Sequence, residues 1–410
     1  MCVNTKKQKM KVLYVNTTIT HYNHPLLNKI ATKGCQLTML IPQKNHNTVG
    51  VGVKENEKED RLYNLITTPC KKSWYGKDYL PKLKQVIQTV CPDVLLIGWP
   101  YMLQLFFYPS ILRFLKKHSI KLILHEIPFQ VPPYGQLSYF KNHPVYNESM
   151  QLLSKGVKFA INAWVLMHIR KYLYKKADAS LNYCTYGKEV WPTYGVPQEK
   201  IFVRYNSGDT EALFATKNQV IDAPNALPVC DNRILHIGRL VAWKRVDLLI
   251  EAYEKVFEQY PYSELTIVGN GPEMQKLKQQ AEKSRAVRNI RFVGGVYEPF
   301  ELGRYMNESS VYVLAGMGGL SINDAMCYEL PVICSVCDGT EKDLIEDGKN
   351  GYFFKEDDAD DLAAKIIMVL SNKDKRQQMG KESLRIVREK ININKVAKNY
   401  YHVFKSVLNK

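Results

Sequence analysis

The alternation of short apolar runs with helix-like segments is the feature that most constrains the fold of this chain. Runs rich in Val, Ile and Leu occupy residues 11–16, 35–42, 93–99 and 121–127. Helix-like stretches such as "HPLLNKIATK" and "YLPKLKQVIQTV" separate them. This order predicts a parallel sheet with helices on both faces, because parallel strands are joined by long crossover connections.

The second half of the chain repeats the pattern. Its apolar runs lie at residues 233–240, 264–271, 290–296, 310–316 and 331–336. A chain of 410 residues also exceeds what one core usually supports. We therefore predict an α/β protein of two doubly wound, Rossmann-like lobes that face each other across a cleft.

A stretch rich in turn formers, "NQVIDAPNALPVCDN", suggests where the two lobes meet in the sequence. We place an N-terminal lobe at residues 1–205 and a C-terminal lobe at 206–390. The last segment, 391–410, is predicted to be a terminal helix.

Positive charge is concentrated in the first half of the chain. Residues 1–205 hold 29 Lys and Arg against 11 Asp and Glu, whereas residues 206–410 hold 28 against 29. A basic face implies an anionic partner, which can be nucleic acid, anionic lipid or a phosphorylated substrate. No nucleic-acid partner is expected, because no zinc-finger, homeodomain-like or RNP motif accompanies the charge.

Residues 104–176 mix bulky apolar side chains with many Lys and Arg. Two interpretations stay open: a basic, membrane-facing amphipathic surface, or core-facing helices whose other face is merely solvated. The first makes an anionic membrane surface a partner.

Targeting and redox features predict a cytoplasmic protein that can lie peripherally on the inner face of the cytoplasmic membrane. No run reaches the ~18 to 20 apolar residues that a bilayer span needs. The start, "MCVNTKKQKMKVLYVN", lacks the apolar region of a signal peptide, and the nine cysteines show no repeated spacing.

A glycine turn, "GMGG" at 316–319, follows an apparent strand and precedes an apparent helix. Glycines let the backbone approach an anion closely, and a helix N-terminus adds roughly half a positive charge. The turn therefore predicts a phosphate site. An NAD-binding motif is a weaker interpretation, because Ser321 stands where the third glycine of G-x-G-x-x-G would be.

Two further signals accompany the turn. Arg239 and Lys244 follow a strand on a loop that enters a helix, an arrangement that suits a diphosphate. Asp324 has two candidate roles. It either binds the ligand or completes an S-x-x-D capping pattern in which Ser321 caps the helix.

These signals, with "IVGNGPE", "FVGGV" and "IEDGKNGYFF" in order, resemble the nucleotide-sugar half of glycosyltransferase family 4, retaining enzymes of GT-B fold. The likeness is strong from about residue 230 to 370 and weaker before 175, where "ILHEIPF" resembles the family's strand ending in a histidine.

The resemblance implies a role for each candidate residue. Arg239 and Lys244 would hold the donor diphosphate, and the donor-binding set would be Gly294, Gly295, Val296, Gly318, Gly319, Leu320, Ser321 and Asp324. In that set, the loop at 294–296 contacts the base, backbone N–H groups at 318–320 reach the diphosphate, and Asp324 takes the place of a ribose-binding glutamate. His125 would lie near the transferred sugar.

One departure from the family pattern concerns its two glutamates eight positions apart. Here those positions hold Gly316 and Asp324, so the first carboxylate is missing. Contacts to the donor sugar would then come from Ser321, Asn323 or the backbone.

The implied function is transfer, with retention, of a sugar from a nucleoside diphosphate sugar to an acceptor hydroxyl. The acceptor is expected to be a saccharide or lipid-linked saccharide in the synthesis of capsule, O-antigen or exopolysaccharide. The catalytic residues would be His125, Arg239 and Lys244, with no metal and no cofactor beyond the donor substrate. A sugar-nucleotide epimerase of the same fold and an inactive glycosyltransferase-like binding protein remain alternatives.

Overall fold

The chain forms two compact units. The computed structural model describes residues 9–43, 60–147, 151–336 and 339–409. The first unit consists of Met1–His143, Lys155–Arg204 and Asn394–Lys410, and the second of Pro144–Ser154 and Tyr205–Ile393. Residues 1–8, on which part of the signal-peptide argument depends, lie outside the described residues.

The first unit is built on a seven-stranded parallel sheet. Its strands are β1 (Met10–Val15), β2 (Cys35–Pro42), β3 (Asn64–Thr68), β6 (Val94–Gly98), β7 (Lys121–Glu126), β8 (Ala179–Asn182) and β9 (Ile201–Val203). They lie in the order β3-β2-β1-β6-β7-β8-β9, and a separate antiparallel pair joins β4 (Lys71–Lys72) to β5 (Asp78–Tyr79).

Helices of the first unit connect these strands. They are α1 (His24–Thr32), α2 (Leu83–Val90), α3 (Leu103–Phe107), α4 (Pro109–Lys117), α5 (Tyr139–Asn142), α6 (Gly156–Lys176) and α7 (Gly187–Thr193), with short 3₁₀ turns at Pro128–Gln130 and Gln198–Lys200. The core lies between sheet and helices, where Leu13, Leu95 and Leu124 are fully buried.

The second unit holds a six-stranded parallel sheet. Its strands are β10 (Arg233–Ile237), β11 (Glu264–Val268), β12 (Ile290–Gly294), β13 (Val311–Leu314), β14 (Val332–Cys334) and β15 (Gly351–Phe353), in the order β12-β11-β10-β13-β14-β15.

The helices of the second unit cover both faces of this sheet, and one more helix ends the chain. They are α8 (Thr210–Ile221), α9 (Val246–Gln259), α10 (Met274–Glu282), α11 (Pro299–Asn307), α12 (Ser321–Cys327), α13 (Glu341–Leu344), α14 (Ala359–Leu370) and α15 (Lys373–Glu389), with 3₁₀ turns at Ala242–Lys244 and Val287–Asn289. The last helix, α16 (Ile393–Leu408), groups almost entirely with the first unit.

The α/β prediction of two Rossmann-like lobes is confirmed. Each sheet is parallel, and each reverses its strand order once, between β1 and β6 in the first unit and between β10 and β13 in the second. Such switch points form the crevices in which open parallel sheets bind ligands. Over the described residues, no helix has the length and apolar character that crossing a membrane requires.

Candidate functional site

The predicted donor residues of the second unit lie at the carboxyl edge of its sheet, around the switch point. β10 pairs directly with β13, so the loop that carries Arg239 and Lys244 begins beside the glycine turn. The two loops are close because of the strand order, which the sequence pattern does not predict.

Backbone contacts join the loops that follow β10, β11 and β12. The amide of Gly238 donates to the carbonyl of Val268 at 3.0 Å, and the amide of Gly269 donates to the carbonyl of Gly294 at 2.8 Å. A Cβ at Gly269 would stand only 1.8 Å from the carbonyl oxygen of Gly238. Only glycine permits this approach, which brings the three loops to one edge.

Lys244 is fixed against the glycine turn. Its Nζ donates to the carbonyls of Met317 and Gly318, each at 2.7 Å, and the side chain is buried. The amide of Met317 in turn donates to the carbonyl of Trp243 at 2.9 Å. The guanidinium of Arg239, on the same loop, lies 5.8 Å from the centroid of the Trp243 ring. The structure therefore brings both predicted cations to the loop that packs on the turn.

Gly316 has no space for a side chain. A Cβ there would lie 2.1 Å from the carbonyl oxygen of Trp243 and 2.6 Å from the carbonyl carbon of Lys244. Because both neighbours are backbone atoms, a side-chain rotation cannot relieve the clash. The close approach of the Lys244 loop thus accounts physically for a glycine at position 316.

Three backbone amides remain without an acceptor at this turn. Among the described residues, the N–H groups of Gly318, Gly319 and Leu320 make no hydrogen bond. Unpaired amides are suitable donors to an anion, because they need a partner and carry partial positive charge.

Ser321 does not cap α12, so the capping interpretation is wrong. α12 begins at Ser321, Leu320 occupies the N-cap position, and no side chain caps the helix. The Ser321 Oγ instead lies 2.7 Å from the hydroxyl of Tyr312, which donates to the carbonyl of Ile237 at 3.0 Å. Ser321 therefore links α12 to the end of β10.

Asp324 is half-buried, and its carboxylate has no hydrogen-bond or ion-pair partner among the described residues. Its Oδ1 stands 3.6 Å from the position that a Cβ would take on Gly208. Burial raises the pKa of Asp324 to about 7. A carboxylate that lacks partners in this position can accept hydrogen bonds from ligand hydroxyls. Its neighbour Asn323 is engaged, since its amide donates to the carbonyl of Asn206 at 3.4 Å.

His236 is a site residue that the sequence prediction missed. It lies fully buried on β10, its Nδ1 bonds to the carbonyl of Val313 at 3.0 Å, and its Nε2 has no partner among the described residues. That Nε2 is 3.3 Å from the position of a Cβ on Gly238. Burial, and to a lesser extent Lys244, lowers the pKa of His236 to about 4. A polar residue inside the apolar run "RILHIG" was the available signal.

The loop at Gly294, Gly295 and Val296 lies two strands from β10 on the same edge. Gly294 has a φ of +87°, and the exposed ring of Tyr297 would meet a Cβ on Gly295 at 3.0 Å. The strand order places this loop away from the turn at 316–319, at the other side of the switch point.

His125 is the next-to-last residue of β7 in the first unit, and it contacts residues that are distant in sequence. Its Nε2 lies 3.3 Å from Nη2 of Arg204, which can only donate, so the Nδ1 carries the proton. Burial, with a smaller contribution from Arg204, lowers the pKa of His125 to about 3. The neutral imidazole also packs edge-on against Tyr14, with ring centroids 6.1 Å apart.

No cluster of three or more His, Cys, Asp or Glu side chains suited to a metal occurs in the described part of the chain.

Comparison with known proteins concerns mainly the second half. Residues 218–385 match the family model described as "Glycosyl transferases group 1". A poly(ribitol-phosphate) alpha-N-acetylglucosaminyltransferase of Staphylococcus aureus is 28% identical over 206 residues, 49% of this chain and 41% of that protein. An alpha-monoglucosyldiacylglycerol synthase of Acholeplasma laidlawii is 29% identical over 139 residues, 33% of this chain and 34% of that protein. The matches thus span less than half of either relative.

A solved structure is similar over nearly the whole chain. HepE of Anabaena, determined in complex with UDP, covers 97% of this chain with 100% of its own, at a TM-score of 0.67 and 15% identity. This likeness shows the fold, which is GT-B as predicted. Residues 218–385, which contain every predicted donor contact except His125, are the part of the chain that is similar to group 1 glycosyl transferases.

Proposed function

We propose that this protein is a retaining glycosyltransferase of family 4 type, which transfers a sugar from a nucleoside diphosphate sugar to an acceptor hydroxyl. One observation carries the proposal. At the switch point of the second unit, Lys244 packs on a glycine turn whose amides at Gly318, Gly319 and Leu320 make no hydrogen bond among the described residues.

The donor diphosphate is the group that this arrangement suits. When the sugar leaves, negative charge grows on the diphosphate oxygens, and Arg239 and Lys244 would stabilise it without a metal. The amides of Gly318, Gly319 and Leu320 would bind the same oxygens. Ser321 would contact the donor, and the loop 294–296 would contact the base.

The remaining residues would act on the sugars. Asp324 would accept hydrogen bonds from the ribose hydroxyls, and His125, held neutral, would donate a hydrogen bond through Nδ1 to the transferred sugar. Arg204, which binds the Nε2 of His125, would keep that proton on Nδ1. Arg204 is thus a positioning residue in this mechanism.

We propose a saccharide or lipid-linked saccharide of a bacterial surface polysaccharide as the acceptor, bound by the basic first half. The names of two relatives support this class, since one acts on poly(ribitol-phosphate) and the other makes a glycolipid. A cytoplasmic position, peripheral on the inner membrane face, and an anionic membrane partner belong to the same proposal.

A thermal-shift panel with UDP, GDP, ADP, CMP and NAD tests the donor site. We expect one nucleoside diphosphate to raise the melting temperature, because a ligand that binds only the folded state stabilises it. Arg239→Ala should abolish that shift, since it removes the cation without removing the carbonyl contacts of Lys244.

Arg288→Ala is the matched control for this panel. Arg288 is an exposed arginine just before β12, at the opposite edge of the same sheet, so this variant should keep the nucleotide shift. A wild-type protein that no nucleotide stabilises would contradict the proposal and favour an inactive binding protein. Product anomeric configuration, measured by NMR, then distinguishes retention from inversion.

The pKa of Asp324 gives a pH dependence to nucleotide affinity. With a pKa of about 7, Asp324 is largely protonated at pH 6 and largely ionised at pH 8. Only the ionised form accepts hydrogen bonds from both ribose hydroxyls, so affinity should rise about tenfold from pH 6 to pH 8. Calorimetric titration of the diphosphate selected by the panel measures this change.

Asp324→Asn is the control that separates the carboxylate from the nucleotide's own ionisation. The amide does not titrate, so the variant should keep only the pH dependence that belongs to the ligand. If the wild type and Asp324→Asn give parallel pH profiles, Asp324 does not contact the nucleotide.

A further inference from the structure

One face of α6 exposes apolar side chains along most of its length. The exposed residues are Val157, Ile161, Trp164, Val165 and Tyr172, which we call the α6 stripe. With successive residues about 100° apart on a helix, the stripe occupies one arc of about 100°. Trp164 is 53% exposed and Ile161 is 56% exposed, and the exposed polar residues His168 and Lys175 lie in the same arc.

The opposite face of α6 already serves the core. Met167, Leu173 and Tyr174 are buried in the cluster that packs on the first sheet. A helix that is apolar on both faces normally has both faces covered. Among the described residues only the inner face is covered, and the outer face carries large apolar side chains at positions where polar ones usually face solvent.

Exposed aromatic residues extend the stripe beyond α6. The ring of Tyr172 lies 5.5 Å from Phe106, which lies 5.2 Å from Phe107. Phe107 lies 5.0 Å from Trp74, and Trp74 is 79% exposed. The apolar surface therefore continues from α6 across α3 to the β4–β5 pair, and aromatic side chains of this kind concentrate at membrane–water interfaces.

Positive charge borders this surface. α6 contains no acidic residue, and Lys158, Lys175 and Lys176 are exposed on it. The Nζ of Lys176 lies 5.8 Å from the centroid of the Tyr172 ring. Lysines with this placement can keep the charged group at headgroup level while the stem covers apolar surface.

A basic cavity opens beside the stripe, between α4 and α6. It has a volume of about 590 Å³, and its charged lining consists of Arg113, Lys116, Lys121, Lys176 and Asp178. The single carboxylate is engaged, because Asp178 accepts a hydrogen bond from the amide of Leu122 at 2.8 Å and lies 3.7 Å from the Nζ of Lys121. Tyr172 and Leu112 supply apolar lining. The cavity thus suits an anionic headgroup attached to an apolar chain.

We propose that the α6 stripe and the α4–α6 cavity form the surface by which this protein lies on an anionic lipid bilayer. The stripe enters the boundary between headgroups and acyl chains, and the cavity binds a lipid phosphate. A second copy of the chain is a poorer occupant, because it would place its own lysines against the same lysines. This inference rests on the proposed function in one respect: contact with the bilayer would bring the enzyme to a lipid-linked acceptor.

Vesicle sedimentation tests the surface without donor or acceptor. Full-length protein is mixed with vesicles of phosphatidylcholine alone, or with about 30% phosphatidylglycerol, at low and high salt. We expect binding to the anionic vesicles that weakens at high salt. Ile161→Gln with Trp164→Gln should reduce partitioning at least about tenfold, and Lys116→Gln with Lys176→Gln roughly thirtyfold on anionic vesicles only.

Matched controls lie in the second unit. Tyr262→Gln with Met368→Gln removes exposed apolar side chains, and Lys278→Gln with Lys283→Gln removes exposed charges; both should bind as the wild type does. Equal binding to neutral and anionic vesicles, unchanged binding of the stripe variant, or a dimer that the stripe variant dissociates would overturn the proposal. The nucleotide shift, measured on the same variants, reports separately on the donor site.

Discussion

Replacement of Arg170 by methionine should lower the free energy of unfolding by about 3 to 5 kcal/mol, because it leaves the carboxylate of Glu126 buried without its partner. Arg170 lies on α6 and binds Glu126, at the end of β7, with Nε at 3.0 and 3.1 Å and Nη2 at 2.9 Å. Both side chains are buried. Burial disfavours the cation, but the charge and hydrogen bonds of Glu126 raise the pKa of Arg170 above its ordinary value.

Two variants make this prediction specific. Arg385→Met removes a surface arginine that pairs with Glu382 and Glu389 on α15, and it should leave the urea midpoint close to that of the wild type. Arg170→Met combined with Glu126→Leu should recover most of the lost stability, since no unpaired charge remains. Urea unfolding followed by circular dichroism measures all three. A small loss in Arg170→Met alone would show that water reaches Glu126 in the variant.

The same ion pair connects two functional features of the first unit. Glu126 directly follows His125, and Arg170 lies on the helix that carries the α6 stripe. The guanidinium of Arg170 also lies 5.3 Å from the centroid of the Trp99 ring, beside the end of β6. The helix that carries the α6 stripe is thereby fixed to the strand that carries the candidate catalytic histidine.

The sequence was sufficient for the fold because both halves contain long, buried, apolar strands. Every run predicted as a strand contains one in the structure. The strands that were missed are short or lie towards the sheet edges, namely β3, β4, β5, β8, β9 and β15. β3 reads "NLITT" and β9 has three residues, so neither has the apolar length on which a sequence pattern depends.

The parts of the candidate site that short sequence motifs define could be predicted from the sequence. The glycine turn, Arg239 and Lys244 are each visible as short motifs after a strand. The capping prediction for Ser321 failed because a long-range contact with Tyr312 competes for its hydroxyl. Arg204 and His236 were missed for the same reason, since their importance comes from neighbours that only the folded sheet supplies.

Gly316→Glu, which introduces the carboxylate that the resemblance to family 4 implies at this position, should lower the free energy of unfolding by about 2 to 3 kcal/mol and abolish the nucleotide shift. The new Cβ would stand 2.1 Å from the carbonyl oxygen of Trp243, so the Lys244 loop must move away from the turn. That movement breaks the contacts of Lys244 with the carbonyls of Met317 and Gly318.

Gly295→Glu is the control for stability alone, because the nearest atoms that a Cβ there would meet belong to the exposed ring of Tyr297 and not to the backbone. Its urea midpoint without nucleotide should stay near that of the wild type, and only Gly316→Glu is compared with the wild type in the presence of the selected nucleotide. If Gly316→Glu is as stable as the wild type and transfers sugar faster, the Lys244 loop tolerates the displacement. The close approach of this loop to the turn does not then require a glycine at position 316. If the variant is destabilised as expected, the close approach of the Lys244 loop to the turn is what requires a glycine at position 316.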